Sequence, residues 1–158
     1  MKIEFKDYLT LANAVCGIVG IALAIAGKSY AWLYILPAIC FDFLDGMVAR
    51  KTVVNEFGKQ LDSLADTVSF VVAPAVVIMN FSTPDFLLTA LAAFYVCTGL
   101  LRLAKFNLQV DKKNYYGLPS PVAALIVLLV YAFAVWLAPL ALLVAGFAMV
   151  IPFKLKKF

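Results

Sequence analysis

The chain carries the sequence Asp42-Phe-Leu-Asp45-Gly46-Met-Val-Ala49-Arg50 and, after a seven-residue spacer, Gly58-Lys-Gln-Leu-Asp62-Ser-Leu-Ala-Asp66. Both halves lie within long apolar segments. The aspartates are three apart in the first half and four apart in the second, so each pair shares one face if its segment is helical. A carboxylate inside a bilayer costs about 2.5–3.5 kcal/mol. Four of them predict a compensating divalent cation, and Mg²⁺ and Mn²⁺ prefer oxygen ligands.

Composition places the chain in a membrane. Its 158 residues are 65% hydrophobic and 14% charged, whereas a soluble domain averages about 45–50% apolar and about 25% charged. The absence of histidine excludes histidine metal ligands and histidine bases. Cys16, Cys40 and Cys97 are odd in number and widely spaced, so we expect buried small apolar residues rather than disulfides or a zinc site.

The apolar segments predict an all-α polytopic membrane protein with about six transmembrane helices in one domain, residues 1–158. The predicted spans are about 9–26, 30–48, 57–80, 86–104, 121–136 and 139–151. Residues 1–8 lack a signal-peptide cleavage pattern, and either an interfacial helix or a frayed terminus fits them. The stretch 105–118 is the longest polar one and is expected to be a loop.

The basic residues predict the orientation. Lys28 marks one side of the membrane under this span assignment, and the other twelve basic residues mark the opposite side. Those twelve are Lys2, Lys6, Arg50, Lys51, Lys59, Arg102, Lys105, Lys112, Lys113, Lys154, Lys156 and Lys157. Because positive charge accumulates on the cytoplasmic side, both termini and the acidic site are expected to face the cytoplasm. The basic residues form no single basic face, so nucleic acid is not an expected partner.

Antiparallel packing of the second and third spans predicts one site for the four aspartates. Asp45 and Asp62 each lie a few residues from the connecting loop, roughly 5–8 Å inside the cytoplasmic boundary, and Asp42 and Asp66 lie about one turn deeper. The four carboxylates are therefore expected to face one another. This arrangement suits two cations about 3.5–4 Å apart that clamp a phosphoryl group.

Small and polar residues beside the aspartates fit a phosphate ligand. Gly46, Ala49 and Gly58 would let a flat ligand approach the backbone. Asn55 is a candidate cap for the third helix, whose positive end would face phosphates. Arg50 is a fixed cation at the cytoplasmic mouth and is suited to phosphate recognition.

Structural explanations compete with this interpretation. A lone intramembrane aspartate is often a hydrogen-bond partner between helices, and Gly-x-x-Ala is often a packing seam. A cation or proton transporter would also use intramembrane carboxylates, although transporters usually place them near the midplane between repeats, and we find no repeat. Four acids at matching depth favour the metal site.

The acidic motif resembles the signature of the CDP-alcohol phosphatidyltransferase family, with a spacer one residue shorter than is usual there. Every fixed position of the signature is present: Asp42, Asp45, Gly46, Ala49, Arg50, Gly58, Asp62 and Asp66. Three further stretches look like the phosphatidylserine synthase branch: Leu9-Thr-Leu-Ala-Asn13-Ala-Val-Cys-Gly17, Leu101-Arg102-Leu-Ala-Lys105-Phe-Asn107 and Gly117-Leu-Pro-Ser-Pro121.

The resemblance implies a six-helix fold, commonly homodimeric, with a polar cavity open to the cytoplasm. The donor would be a CDP-linked lipid and the acceptor L-serine, with CMP as the leaving group. Carried over, the four aspartates bind two divalent cations, Mg²⁺ or Mn²⁺, and Asp66 also deprotonates serine. The CDP-lipid site would be lined by Gly46, Ala49, Arg50 and Gly58, with Asn55 and Asn13 as weaker transfers.

Arg102 and Lys105 are candidates for binding the serine carboxylate. Both lie at the cytoplasmic end of the fourth predicted span, at the level of the aspartates, but both also fit ordinary positive-inside anchors. A sibling enzyme that uses glycerol phosphate or an inositol phosphate stays open as an alternative. Such an acceptor should require a denser cluster of cations.

Overall fold

A computed structural model of the chain describes residues 4–49, 56–81, 85–108, 114–151 and 154–156. The helices are α1 (Phe5–Ile25), α2 (Ile35–Ala49), α3 (Glu56–Asp66), α4 (Ala73–Phe81), α5 (Phe86–Leu108), α6 (Ser120–Phe133) and α7 (Ala138–Val150). Short 3₁₀ turns, Ala31–Tyr34 and Val135–Leu137, precede α2 and α7, and a π-helical segment, Thr67–Val72, joins α3 to α4. Strands β1 (Asn114–Tyr116) and β2 (Lys154–Lys156) form an antiparallel ribbon.

Four stretches are long and apolar enough to cross a membrane: Phe5–Ile25, Ala31–Ala49, Glu56–Asn80 and Phe86–Leu108. The remaining two apolar helical stretches, Ser120–Phe133 and Val135–Val150, are shorter. The expectation of an all-α integral membrane protein with about six apolar helices is confirmed. The ribbon was not predicted, because it pairs residues about 40 positions apart, and local hydrophobic patterns carry no signal for such pairing.

Several helix boundaries differ from the expected spans, and α1 and α5 each extend about one turn further. Helix α1 begins at Phe5, so Phe5–Tyr8 continue into the span rather than forming a separate surface helix. Its start is fixed by a capping box between Glu4 and Asp7, in which the Glu4 amide donates a 2.8 Å bond to Asp7 Oδ2. Helix α5 runs one turn beyond residue 104, to Leu108, so the polar side chains that follow residue 104 are still helical.

Helix α1 ends in a turn that requires glycine. Gly27 has a φ of 68°, and its amide donates to the Ala24 carbonyl while the Lys28 amide donates to the Leu23 carbonyl. These two bonds form a Schellman motif, which usually has glycine at this position because side chains disfavour positive φ. The turn directs the chain back toward α2.

The continuous stretch Glu56–Asn80 is the central rod of the bundle. About 61% of its apolar window is buried, compared with 28–33% for the other three long stretches. The π-helical segment within it leaves carbonyls available to other partners. Tyr34 donates to the Ser69 carbonyl at 2.8 Å, and Tyr95 of α5 donates to the Phe70 carbonyl at 2.9 Å.

Helix α1 packs on this rod through small and polar residues. Its buried positions recur every three or four residues from Thr10 through Asn13, Gly17 and Gly20 to Ala24. A Cβ on Gly17 would lie 2.7 Å from the Ser69 Cα, so only glycine permits this approach. The polar part of the α1 face therefore lies against the start of the rod, where the aspartates are.

The expectation that the cysteines are buried is wrong for two of them. Cys16 is half-buried, whereas Cys40 and Cys97 are exposed. In a membrane protein an apolar residue is stable on the outer face of a helix as well as inside the bundle. Apolar surroundings in the sequence therefore do not indicate burial.

Candidate metal centre

Three carboxylates meet at one end of the bundle. Asp42 of α2 and Asp62 and Asp66 of α3 each present an oxygen atom, and these atoms lie within 4.8 Å of one another. Asp66 is buried and the other two are half-buried. Oxygen donors at this spacing are what a hard divalent cation prefers, so the group could hold a metal ion.

The fourth aspartate lies beside this group. Asp45 is buried, and its Oδ2 accepts a 2.8 Å hydrogen bond from Thr10 Oγ1 of α1. The Lys6 carbonyl is a second and more distant acceptor for the single proton of this hydroxyl, at 3.1 Å. The sequence predicts that all four carboxylates face one another. The structure brings the oxygens of three of them together, and the fourth carboxylate, that of Asp45, is hydrogen-bonded to the Thr10 hydroxyl.

Asn13 contacts one of the three grouped carboxylates, that of Asp66. Its Nδ2 donates a 3.2 Å hydrogen bond to Asp66 Oδ1, and the residue is fully buried. Asn13 Oδ1 has no hydrogen-bond partner among the described residues. Asn13 also does not line the cavity described next. The structure therefore places the Asn13 amide against a carboxylate and outside the cavity lining, and its predicted contact with the CDP-lipid stays a prediction.

A cavity of about 310 Å³ opens over the aspartates. All four aspartates line it, together with Arg102, Gly46 and Ser63. Apolar side chains complete the lining: Phe43, Met47, Leu103, Phe106 and Pro121. Four carboxylates and one guanidinium give this lining an excess of negative charge, which favours a cationic ligand or an anionic ligand bound together with cations.

The small residues of the motif occupy different environments. A Cβ on Gly46 would meet no atom within 4 Å, so this position borders open space in the cavity. A Cβ on Gly58 would lie 3.1 Å from Asp7 Oδ1 and 3.2 Å from Lys6 Cε, so Gly58 faces α1. Ala49 is exposed at the end of α2. The predicted ligand contacts Arg50 and Asn55 lie outside the described residues.

The two candidates for binding the serine carboxylate, Arg102 and Lys105, differ in their position relative to the cavity. Arg102 lines the cavity, and its Nη1 donates a 2.8 Å hydrogen bond to Ser120 Oγ, while its guanidinium carbon lies 5.8 Å from the centre of the Phe106 ring. Lys105, one turn later on α5, is exposed and does not line the cavity. The cavity thus contains the guanidinium but not the ammonium group.

Sequence reasoning missed several polar partners of the site. Thr10 and Ser120 each orient a charged side chain, and Ser63 lines the cavity and donates to Asn107 Oδ1 at 3.0 Å. One signal was available for Thr10, because Thr10 and Asn13 are polar, three apart and set in an apolar helix. Ser63 and Ser120 lie within the stretches quoted for the family resemblance, but their partners come from other helices, so the sequence does not indicate what they contact.

Comparisons with known proteins agree with the sequence motif. The sequence model of the family described as CDP-alcohol phosphatidyltransferase matches residues 6–153. The chain is 42% identical over 125 residues to the CDP-diacylglycerol–serine O-phosphatidyltransferase of Methanocaldococcus jannaschii. It is 43% identical over 128 residues to the archaetidylserine synthase of Methanothermobacter thermautotrophicus, and 37% identical over 122 residues to the CDP-diacylglycerol–serine O-phosphatidyltransferase of Bacillus subtilis.

These alignments cover most of the chain but less of the relatives. They include 78%, 77% and 74% of the chain, and 58%, 55% and 69% of the three relatives, in the same order. The chain thus spans little more than half the length of the first two proteins. The family match covers the aspartates, Arg102 and the α1 residues that contact the aspartates.

Proposed function

Because the chain belongs to the CDP-alcohol phosphatidyltransferase family, we propose that it transfers the phosphatidyl group of a CDP-linked lipid to the hydroxyl of L-serine and releases CMP. The donor is CDP-diacylglycerol or its ether-lipid equivalent. The observation that carries this proposal is the group of three carboxylates in a cavity that also contains Arg102. The three relatives, two CDP-diacylglycerol–serine O-phosphatidyltransferases and one archaetidylserine synthase, support serine as the acceptor.

We propose that Asp42, Asp45, Asp62 and Asp66 hold two divalent cations, Mg²⁺ or Mn²⁺. The donor set fits, because it consists of carboxylate oxygens and the chain has no histidine. Such cations, when bound, neutralise the negative charge on the transferring phosphoryl group. Asp45 is the residue that must share its hydrogen-bonded oxygen or use its other one.

In the proposed reaction Asp66 accepts the proton of the serine hydroxyl. The serine oxygen forms a bond to the lipid-bearing phosphorus, and the bond from that phosphorus to the bridging oxygen breaks, so that CMP leaves with the electron pair. The Asn13 amide holds Oδ1 of Asp66. This contact leaves the second oxygen for the cavity and fixes its direction.

Arg102 is the proposed partner of the serine carboxylate. A guanidinium binds a carboxylate through two parallel hydrogen bonds, and Ser120 and Phe106 hold this one at the cavity wall. Arg102 is the one cation among the described lining residues. That count suits an acceptor with a single carboxylate better than a phosphorylated alcohol. The exposure of Lys105 supports a role for that residue as a membrane anchor.

The nucleotide and the membrane orientation complete the proposal. Gly46 borders open space in the cavity, which supports close approach of the CDP moiety to α2. We further propose, as the family signature implies, that the CDP-lipid also contacts Ala49, Arg50, Asn55 and Gly58. We propose that the cavity and both termini face the cytoplasm, because twelve of the thirteen basic residues fall on one side under the predicted span assignment. A homodimer is the assembly that the resemblance implies.

Release of CMP tests the proposal. Purified protein is incubated with CDP-diacylglycerol and Mg²⁺ or Mn²⁺, with and without serine, beside Asp66→Asn and a control, Glu56→Gln, which changes an exposed acid of α3 outside the cavity lining. We expect serine-dependent CMP release in wild type and control, and none in Asp66→Asn. Incorporation of glycerol phosphate or inositol phosphate in place of serine would refute the acceptor. Cation flux in proteoliposomes without CMP production would refute the enzyme.

A further inference from the structure

Two side chains of α1 each contact a different aspartate. Thr10 donates to Asp45 Oδ2 at 2.8 Å, and Asn13 donates to Asp66 Oδ1 at 3.2 Å. The two donors are three residues apart, so they lie on the same face of the helix. The acceptors belong to different elements, since Asp45 is on α2 and Asp66 ends α3. Helix α1 therefore bridges the two halves of the acidic site.

The backbone under these donors is itself held in place. Ser69 of the π-helical segment donates from its Oγ to the Asn13 carbonyl at 2.7 Å. The contact is possible because Gly17 lets α1 approach the Ser69 backbone. Thr10 and Asn13 are 3% and 0% exposed, which leaves their side chains little room to move. Both donors are thus fixed relative to the carboxylates.

We propose that Thr10 and Asn13 are positioning residues for the metal ligands. Asn13 fixes Asp66 within the group of three carboxylates, and Thr10 holds Asp45 at the edge of that group. In each case a hydrogen bond from α1 holds one carboxylate oxygen and thereby fixes the orientation of the whole carboxylate. This inference rests on the proposed metal site.

The burial of Asn13 supports a positioning role over a nucleotide contact. Its Oδ1 has no hydrogen-bond partner among the described residues, and an unsatisfied buried acceptor is unfavourable. The bond that Asn13 donates to Asp66 offsets part of that cost and at the same time fixes the direction of the carboxylate. Ligating carboxylates generally depend on such partners, and loss of one typically weakens metal binding about 10–100-fold.

Binding of Mn²⁺ without any lipid substrate tests the proposal. Free Mn²⁺ is measured by electron paramagnetic resonance while purified protein is titrated with the ion. We expect Thr10→Val to raise the apparent Kd about 10-fold or more, because it keeps the side-chain shape and removes the donor. Thr10→Ser keeps a hydroxyl and should restore affinity close to that of wild type.

Thr98→Val is the matched control. Thr98 is a similarly buried threonine, 6% exposed, whose hydroxyl donates to the Phe94 and Tyr95 carbonyls of its own helix and to no carboxylate. It should bind Mn²⁺ as wild type does. Equal affinities for Thr10→Val and Thr98→Val would overturn the role of Thr10, and so would tighter binding by Thr10→Val.

Asn13→Leu tests the second donor and is compared with wild type for both Mn²⁺ affinity and substrate kinetics. We expect weaker Mn²⁺ binding and a lower kcat with little change in KM for the CDP-lipid. A raised KM for the CDP-lipid with normal Mn²⁺ affinity would instead make Asn13 a nucleotide contact and overturn its assigned role. If wild type itself binds no Mn²⁺, the proposed metal site fails and this inference fails with it. If wild type, Thr10→Val and Asn13→Leu all bind Mn²⁺ with the same affinity, the positioning roles are refuted while the proposed metal site stands.

Discussion

The hydroxyl of Tyr34 donates a 2.8 Å hydrogen bond to the backbone carbonyl of Ser69, three residues beyond Asp66 on the central rod. Tyr95 makes the equivalent bond to the next carbonyl, that of Phe70. Both tyrosines are buried, and both acceptors lie in the π-helical segment. π-Helical turns inside α-helices are rare, and those that occur are often found at functional sites. The two tyrosine hydroxyls therefore stabilise the turn that directly follows Asp66.

Tyr34→Phe is expected to destabilise the protein by about 1–3 kcal/mol, because it removes a donor from a buried carbonyl. Thermal unfolding in detergent measures the loss. Tyr30→Phe is the control, since Tyr30 is four residues earlier and 51% exposed. A midpoint for Tyr34→Phe equal to that of the control would mean that the phenol contributes nothing to the π-helical segment.

Replacing Asp42 with asparagine should separate stability from metal binding. Three carboxylates with oxygens within 4.8 Å repel one another when no cation is present. Asp42→Asn is therefore expected to melt at a higher temperature than wild type in EDTA. Wild type should gain about 2.7 kcal/mol from Mn²⁺ at 100 times its Kd, and the variant should gain much less.

Thermal unfolding with and without Mn²⁺ measures both effects, and Glu56→Gln is the reference for loss of an acid outside the group. A variant that is still stabilised by Mn²⁺ as strongly as wild type would show that Asp42 is not a ligand.

Arg102 is expected to determine the KM for serine. Arg102→Lys keeps the charge but loses the paired hydrogen bonds of the guanidinium, and charge-assisted bonds contribute about 1.5–3 kcal/mol. The KM for serine should rise about 10-fold or more, with a smaller change in the KM for the CDP-lipid. Lys105→Gln should raise it far less, because Lys105 lies outside the cavity. A larger rise in the KM for serine in Lys105→Gln than in Arg102→Lys would instead make Lys105 the partner of the serine carboxylate.

Much of this architecture is predictable from the sequence because the lipid phase imposes it. Long apolar stretches predict the helices, and carboxylates at helical spacing inside them predict a cation site. Asp42, Asp62 and Asp66 meet as that spacing implies. The family signature then limits the chemistry, since its four aspartates all line one cavity.

The remaining features depend on contacts between distant residues. The π-helical segment itself contains no proline or glycine, and its one local signal is Pro74, which has no amide hydrogen to donate to the Phe70 carbonyl. The hydroxyls that bond the Ser69 and Phe70 carbonyls come from tyrosines of two other elements. Thr10 reaches Asp45 across 35 positions of sequence. Gly46 and Gly58 look equivalent in the motif, yet one borders the cavity and the other contacts α1. Helical periodicity specifies a face but not the neighbour of that face.

The two glycines of the motif should therefore respond differently to alanine. Gly46→Ala adds a methyl group to open space in the cavity and improves helix propensity by about 0.5–1 kcal/mol, so stability should be kept or raised while the KM for the CDP-lipid rises. Gly58→Ala gains the same helix propensity but places its methyl group 3.1 Å from Asp7 Oδ1 and 3.2 Å from Lys6 Cε, so its unfolding midpoint should lie below that of Gly46→Ala. Thermal unfolding and initial-rate kinetics on both variants separate the two effects. The assignment of Gly46 to the ligand side fails if its variant has an unchanged KM and the Gly58 variant alone loses affinity for the CDP-lipid.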